Sequence, residues 1–112
     1  MHLYGIPGCD TVRKSRAWLD QRGTAYQFHD YKKEGADPGL LARWSEAASW
    51  EALLNRRGTT FRGLDAADQA GIGRDKALRL MAAHPSLIKR PVLEHDGGLL
   101  VGFDAAQWER EL

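Results

Sequence analysis

The sequence predicts an α/β fold in which a mixed four-stranded sheet carries helices, and a helical insertion separates its second and third strands. Three observations carry this. Leu3, Tyr4 and Ile6 form a short apolar opening that is broken at Pro7-Gly8 and followed directly by a run of helical period, the pattern of a strand entering a helix. Residues Ala25 to Tyr31 alternate large apolar or aromatic residues with polar ones, the period of a half-covered strand. Near the end, Pro91-Val92-Leu93-Glu94 and Leu99-Leu100-Val101 flank Asp96-Gly97-Gly98, which reads as an antiparallel hairpin whose loop length stays open.

The remaining elements follow in order. From Asp10 to Gln21, Val12, Ser15, Trp18 and Leu19 recur on one helical face while Arg13, Lys14, Arg16 and Asp20 face water, and Arg22-Gly23 ends the helix. The stretch from Lys32 to Gly39 reads as a connecting loop. Asp37-Pro38 then pairs an N-cap with a proline at the first helical position, leading into Leu40, Leu41 and Trp44. A second helix starts at Ser49 and runs through Leu53 and Leu54 toward Gly58; a third spans Arg74 to Ala83, before Pro85. Residues 37–83 therefore form a helical insertion, and Asp104 caps a last helix containing Trp108. The order is that of a thioredoxin-like layout, and with no repeat or linker it predicts one domain over residues 1–112.

Composition narrows the function. Sixteen Lys and Arg against fifteen Asp and Glu leave a weak long-range field, which argues against nucleic acid or a polybasic membrane contact. No leader pattern or membrane-length apolar run is present, and a lone cysteine fits a reducing compartment, so a cytoplasmic monomer is expected. His2, His29, His84 and His95 lack ligand spacing, and the expectation is no metal and no bound cofactor. The four tryptophans fall in predicted helices, where core packing accounts for them.

Chemistry centres on Cys9. It follows the Gly5-Ile6-Pro7-Gly8 turn and opens the first helix, so free backbone amides point at its sulfur and favour the thiolate. Thiols so placed can fall from a pKa of about 8.5 to roughly 3.5–7.5 and become nucleophiles at neutral pH. Asp10 opposes that shift, Arg13 one turn on offsets Asp10, and the Thr11 hydroxyl is placed to donate to the sulfur. Two further stretches carry candidate anion-binding groups. Asn55-Arg56-Arg57-Gly58 sits at a helix end, where cations also suit the helix dipole. Arg90 precedes Pro91 and offers a guanidinium to a carboxylate, phosphate or other oxyanion. By base rate alone the Arg90-Pro91 bond is trans.

These residues also carry a resemblance. Leu3-Tyr4-Gly5-Ile6 leading to Cys9-Asp10-Thr11, Phe28-His29-Asp30-Tyr31, Trp50-Glu51-Ala52-Leu53-Leu54-Asn55, Arg57-Gly58-Thr59-Thr60, Ile88-Lys89-Arg90-Pro91 and Gly102-Phe103 together resemble the arsenate reductase (ArsC)/Spx family, in its YffB-like branch. The resemblance implies a thioredoxin-like fold with a helical insertion, one active-site cysteine, a cis Pro91 beside it, and dependence on glutathione or another thiol. Arsenate-reducing members carry arginines at the positions of Asn55, Arg90 and Phe103, so this chain holds part of that cradle. Spx-like members use a Cys-x-x-Cys switch, for which Val12 stands in the second position. The implied function is a glutathione-dependent thiol reductase: Cys9 as nucleophile, Arg90 and Arg57 on an anionic group, Asn55 and Thr11 orienting it, and Pro91 shaping the groove. Asp10 and Arg13 lie beside the thiol, and the partner is glutathione, another small thiol or a protein thiol. The alternatives are arsenate as substrate, and a non-catalytic module that binds RNA polymerase.

Overall fold

The computed structural model describes residues 1–112. They form two compact units, one of residues 1–34 with 90–112 and the other of residues 35–89. In the first, β1 (His2–Gly5), α1 (Asp10–Gln21), β2 (Gln27–Asp30) and the single turn α2 (Tyr31–Glu34) precede the second unit. After it come β3 (Val92–His95), β4 (Gly98–Val101) and the last helix of the chain, α8 (Ala105–Glu111). The sheet order is β2-β1-β3-β4, with β1 parallel to β2 and antiparallel to β3, as the α/β, thioredoxin-like expectation requires.

Register sorts the side chains onto two faces. Leu3 lies opposite Phe28 on one side and Leu93 on the other, and Leu93 opposite Leu100, so these residues share one face. Leu19 of α1 and Trp108 of α8 complete a core with Leu3, Leu93 and Leu100, packed around by Trp18, Phe28 and Phe103. Gly5 brings β1 close to α1: a Cβ there would meet Val12 Cγ2 at 2.8 Å. His2, Tyr4, His29 and Glu94 alternate onto the opposite, polar face.

The strand after α1 is shorter than the alternation predicts. It covers Gln27–Asp30, and Tyr31 begins α2 because the Asp30 carboxylate accepts from the Lys32 amide at 2.9 Å and turns the chain out of the sheet. The hairpin closes through Asp96-Gly97, with His95 paired to Gly98. Asp104 caps α8 by accepting from Ala106 and Gln107.

The second unit is helical: α3 (Pro38–Ala48), α4 (Trp50–Leu53), α5 (Thr59–Arg62), α6 (Ala66–Gln69), α7 (Arg74–Ala83) and a 3₁₀ turn at Pro85–Leu87. Asp37 caps α3 by accepting from Leu40 at 3.1 Å, and Ser49 caps α4. The helix expected to run past Leu54 stops at Leu53, because Leu54 leaves the helix to form an antiparallel bridge with Ile88. The turns α5 and α6 are too short to show a period in sequence. No helix of the chain is long and apolar enough to cross a membrane. Truncating Leu93 to Ala should destabilise the fold by about 2–5 kcal/mol, read as a lower urea midpoint with secondary structure retained in buffer.

Candidate active site

Cys9 is the N-cap residue of α1, in extended backbone conformation with φ −80° and ψ 129°. Its amide donates to the Ile6 carbonyl at 3.1 Å, which closes the turn after β1, and its carbonyl accepts from Arg13. The sulfur makes no capping bond of strict geometry, yet it lies before the free amides of the first helical turn, where a thiolate gains more than a thiol. It is half-buried and unpaired with any other cysteine.

Arg90 reaches the same sulfur. It precedes Val92 of β3, whose antiparallel pairing with β1 brings the start of β3 toward the end of β1, where the Cys9 turn begins. Burial pushes the Cys9 thiol up, but the Val12 amide, a hydrogen bond from the Arg90 side chain and the Thr11 amide pull harder, and the Arg90 charge adds to them. The thiol therefore ionises below its ordinary value. The Arg90-Pro91 bond is cis, as the family resemblance implies and the base rate does not, and Pro91 is buried.

The other expected residues divide. Asp10 and Arg13 pair with each other on the exposed side of α1, and Arg13 also donates to the Gly8 carbonyl at 3.2 Å, so Arg13 screens Asp10 rather than touching the sulfur. Thr11 contributes through its backbone amide, where the sequence pointed to its hydroxyl. Asn55 and Arg57 belong to the helical unit, where they line one cleft with Glu51, Leu54, Arg56 and Lys89.

Sequence reasoning missed Tyr31. It is 1% exposed, its ring stacks on Tyr4 at 6.4 Å, and burial pushes its phenol well above the ordinary value while Arg90 opposes and Tyr4 reinforces that rise. Tyr31 thus stays a neutral phenol beside the Arg90 charge. The stack continues to His29 at 4.4 Å, and His29 contacts His2 and Glu34, each at 2.9 Å. The parallel pairing of Tyr4 with His29 builds this cluster, and only a known register would have revealed it.

The chain is similar to proteins of one family over nearly its whole length. The profile of the ArsC family matches residues 4–110. A solved structure of the YFFB (PA3664) protein is 51% identical, with a TM-score of 0.96 over 99% of this chain and 97% of that one. An arsenate reductase (ArsC) related protein from Brucella melitensis is also 51% identical, with a TM-score of 0.77 over 98% of this chain and 92% of that one. The global transcriptional regulator Spx of Streptococcus mutans is 26% identical, over 91% of this chain and 75% of its own length.

Arg90→Ala should raise the apparent pKa of Cys9. Alkylation by iodoacetamide, followed by intact mass against pH, should show the rate rising at higher pH in the variant than in the wild type, with slower reaction at neutral pH.

Proposed function

Starting from a chain that belongs to the ArsC family, we propose that it is a glutathione-dependent thiol reductase with Cys9 as its nucleophile. The observation that carries this is the Arg90 hydrogen bond to a sulfur already favoured as thiolate by helix-start amides. In the first step the Cys9 thiolate attacks the glutathione sulfur of a mixed disulfide. The sulfur–sulfur bond of the substrate breaks, Cys9 becomes glutathionylated, and the released substrate thiolate takes a proton from solvent.

A second cysteine is needed to resolve the adduct internally, and the chain has one cysteine. External glutathione therefore attacks the adduct, giving glutathione disulfide and returning Cys9 as thiolate. The sum is one mixed disulfide and one glutathione in, one free thiol and one glutathione disulfide out. Arg90 holds the sulfur anionic before attack and again as it leaves.

A disulfide suits the site better than arsenate. Arg90 is the one cation that acts on the Cys9 sulfur, whereas an arsenate oxyanion would call for several guanidinium groups around the nucleophile. The likeness to Spx favours a second reading, a regulatory module that binds RNA polymerase. Val12 stands three residues after Cys9, so that module would work without an internal disulfide switch.

Cys9→Ser should abolish reduction of a glutathionylated substrate while leaving the circular dichroism spectrum unchanged. Wild-type turnover persisting in that variant would contradict the mechanism. Inactivity of the wild type, with retention of Cys9→Ser on immobilised RNA polymerase, would transfer the function to the regulatory reading.

A further inference from the structure

The helical unit holds a cleft of about 380 Å³ lined by Glu51, Leu54, Asn55, Arg56, Arg57 and Lys89. Its floor is fixed main chain. Lys89 donates to the Leu53 carbonyl and Asn55 to the Leu87 carbonyl, both at 2.7 Å, so residues 53–55 and 87–89 lie side by side as a short antiparallel pair. Leu53, Leu54, Leu87 and Ile88 are at most 2% exposed and anchor that pair, so the cations beside it start from an ordered backbone.

The charges in the cleft are unspent. The ion pairs made by the carboxylates of Asp10, Glu34, Asp75 and Glu109 engage none of Arg56, Arg57 and Lys89. Three cations against Glu51 leave the cleft positive. Arg56 sits over the Trp50 ring at 5.7 Å, which leaves Arg57 and Lys89 as the cations with no aromatic or acidic contact. The Asn55 amide is oriented as well: its Oδ1 accepts from the Arg57 amide at 3.1 Å, and its Nδ2 lies 2.9 Å from where a Cβ on residue 58 would fall, space that Gly58 leaves open. Arg62 donates to the Arg57 carbonyl at 2.8 Å and steadies the same loop.

We propose that this cleft binds a small organic anion carrying two acidic groups, with Arg57 and Lys89 each meeting one of them. Their two positions, on separate segments of the paired main chain, favour a ligand with separated charges over a single point charge. The cleft falls within the range of about 300–1,000 Å³ usual for small-molecule sites. The inference goes beyond the thiol reading and does not depend on it.

The test uses full-length Cys9→Ser protein, so that no thiol chemistry contributes, labelled with nitrogen-15. It is titrated at constant ionic strength with succinate, and separately with succinamide, phosphate and chloride. Succinate should shift the Asn55, Arg57 and Lys89 amides saturably, and uncharged succinamide should not. Arg57→Ala and Lys89→Ala should each weaken succinate binding roughly tenfold, the loss expected for a charge-assisted hydrogen bond, with Arg57→Lys recovering part of it. Equal shifts with chloride, saturation by phosphate without succinate, or unchanged binding in both alanine variants would overturn the proposal.

Discussion

The sulfur of Cys9 and the guanidinium of Arg90 meet because two antiparallel strands carry them to the same end of a sheet, and the chemistry proposed for this chain depends on that meeting. Cys9 is set by the turn that leaves β1, and Arg90 by the approach to β3. The pairing of β1 with β3 fixes both. It is held in turn by Leu3, Leu93 and Leu100 on the face covered by Leu19 and Trp108, since a slip of one residue would turn those leucines to the polar face. The apolar core therefore specifies the site's geometry without touching the sulfur.

The two influences on the thiol have different origins. The Thr11 and Val12 amides are available because a helix begins there, so almost any α1 of this geometry would offer them. Arg90 is specific to the sequence, and it works against the desolvation that burial imposes. Tyr31 keeps its proton in the same surroundings, so the aromatic stack of Tyr31, Tyr4 and His29 adds no negative phenolate to compete for Arg90. The arrangement favours ionisation of the sulfur and opposes that of the phenol although both lie near one guanidinium.

Much of this was legible in the sequence where a long period or a cap marked it. The bounds of α1 and α7 and the caps Asp37 and Asp104 match the expectation, because each helix shows an apolar stripe or a side chain suited to its first turn. Tyr31 was read as strand since it continues an alternation, and the sequence pattern does not show Asp30 bending the backbone to Lys32. Leu54 was read as helix since two leucines in succession suit either structure, and its bridge to Ile88 is a contact across more than thirty residues. Cys9 was legible from its place between strand and helix, and Arg90 from the proline that follows it. The switch from the Thr11 hydroxyl to its amide, and the gathering of Arg56, Arg57 and Lys89, needed coordinates.

The central claim is that the fold makes Cys9 ionise below the ordinary thiol value. Titrating the ultraviolet absorbance of the thiolate, with Cys9→Ser as the blank, tests it directly in the absence of any substrate. The account predicts a single ionisation below the ordinary thiol value that disappears on unfolding in urea, where the ordinary value returns. An ionisation at or above the ordinary value in the folded protein would contradict it, because the helix-start amides and Arg90 would then fail to overcome the burial of the sulfur.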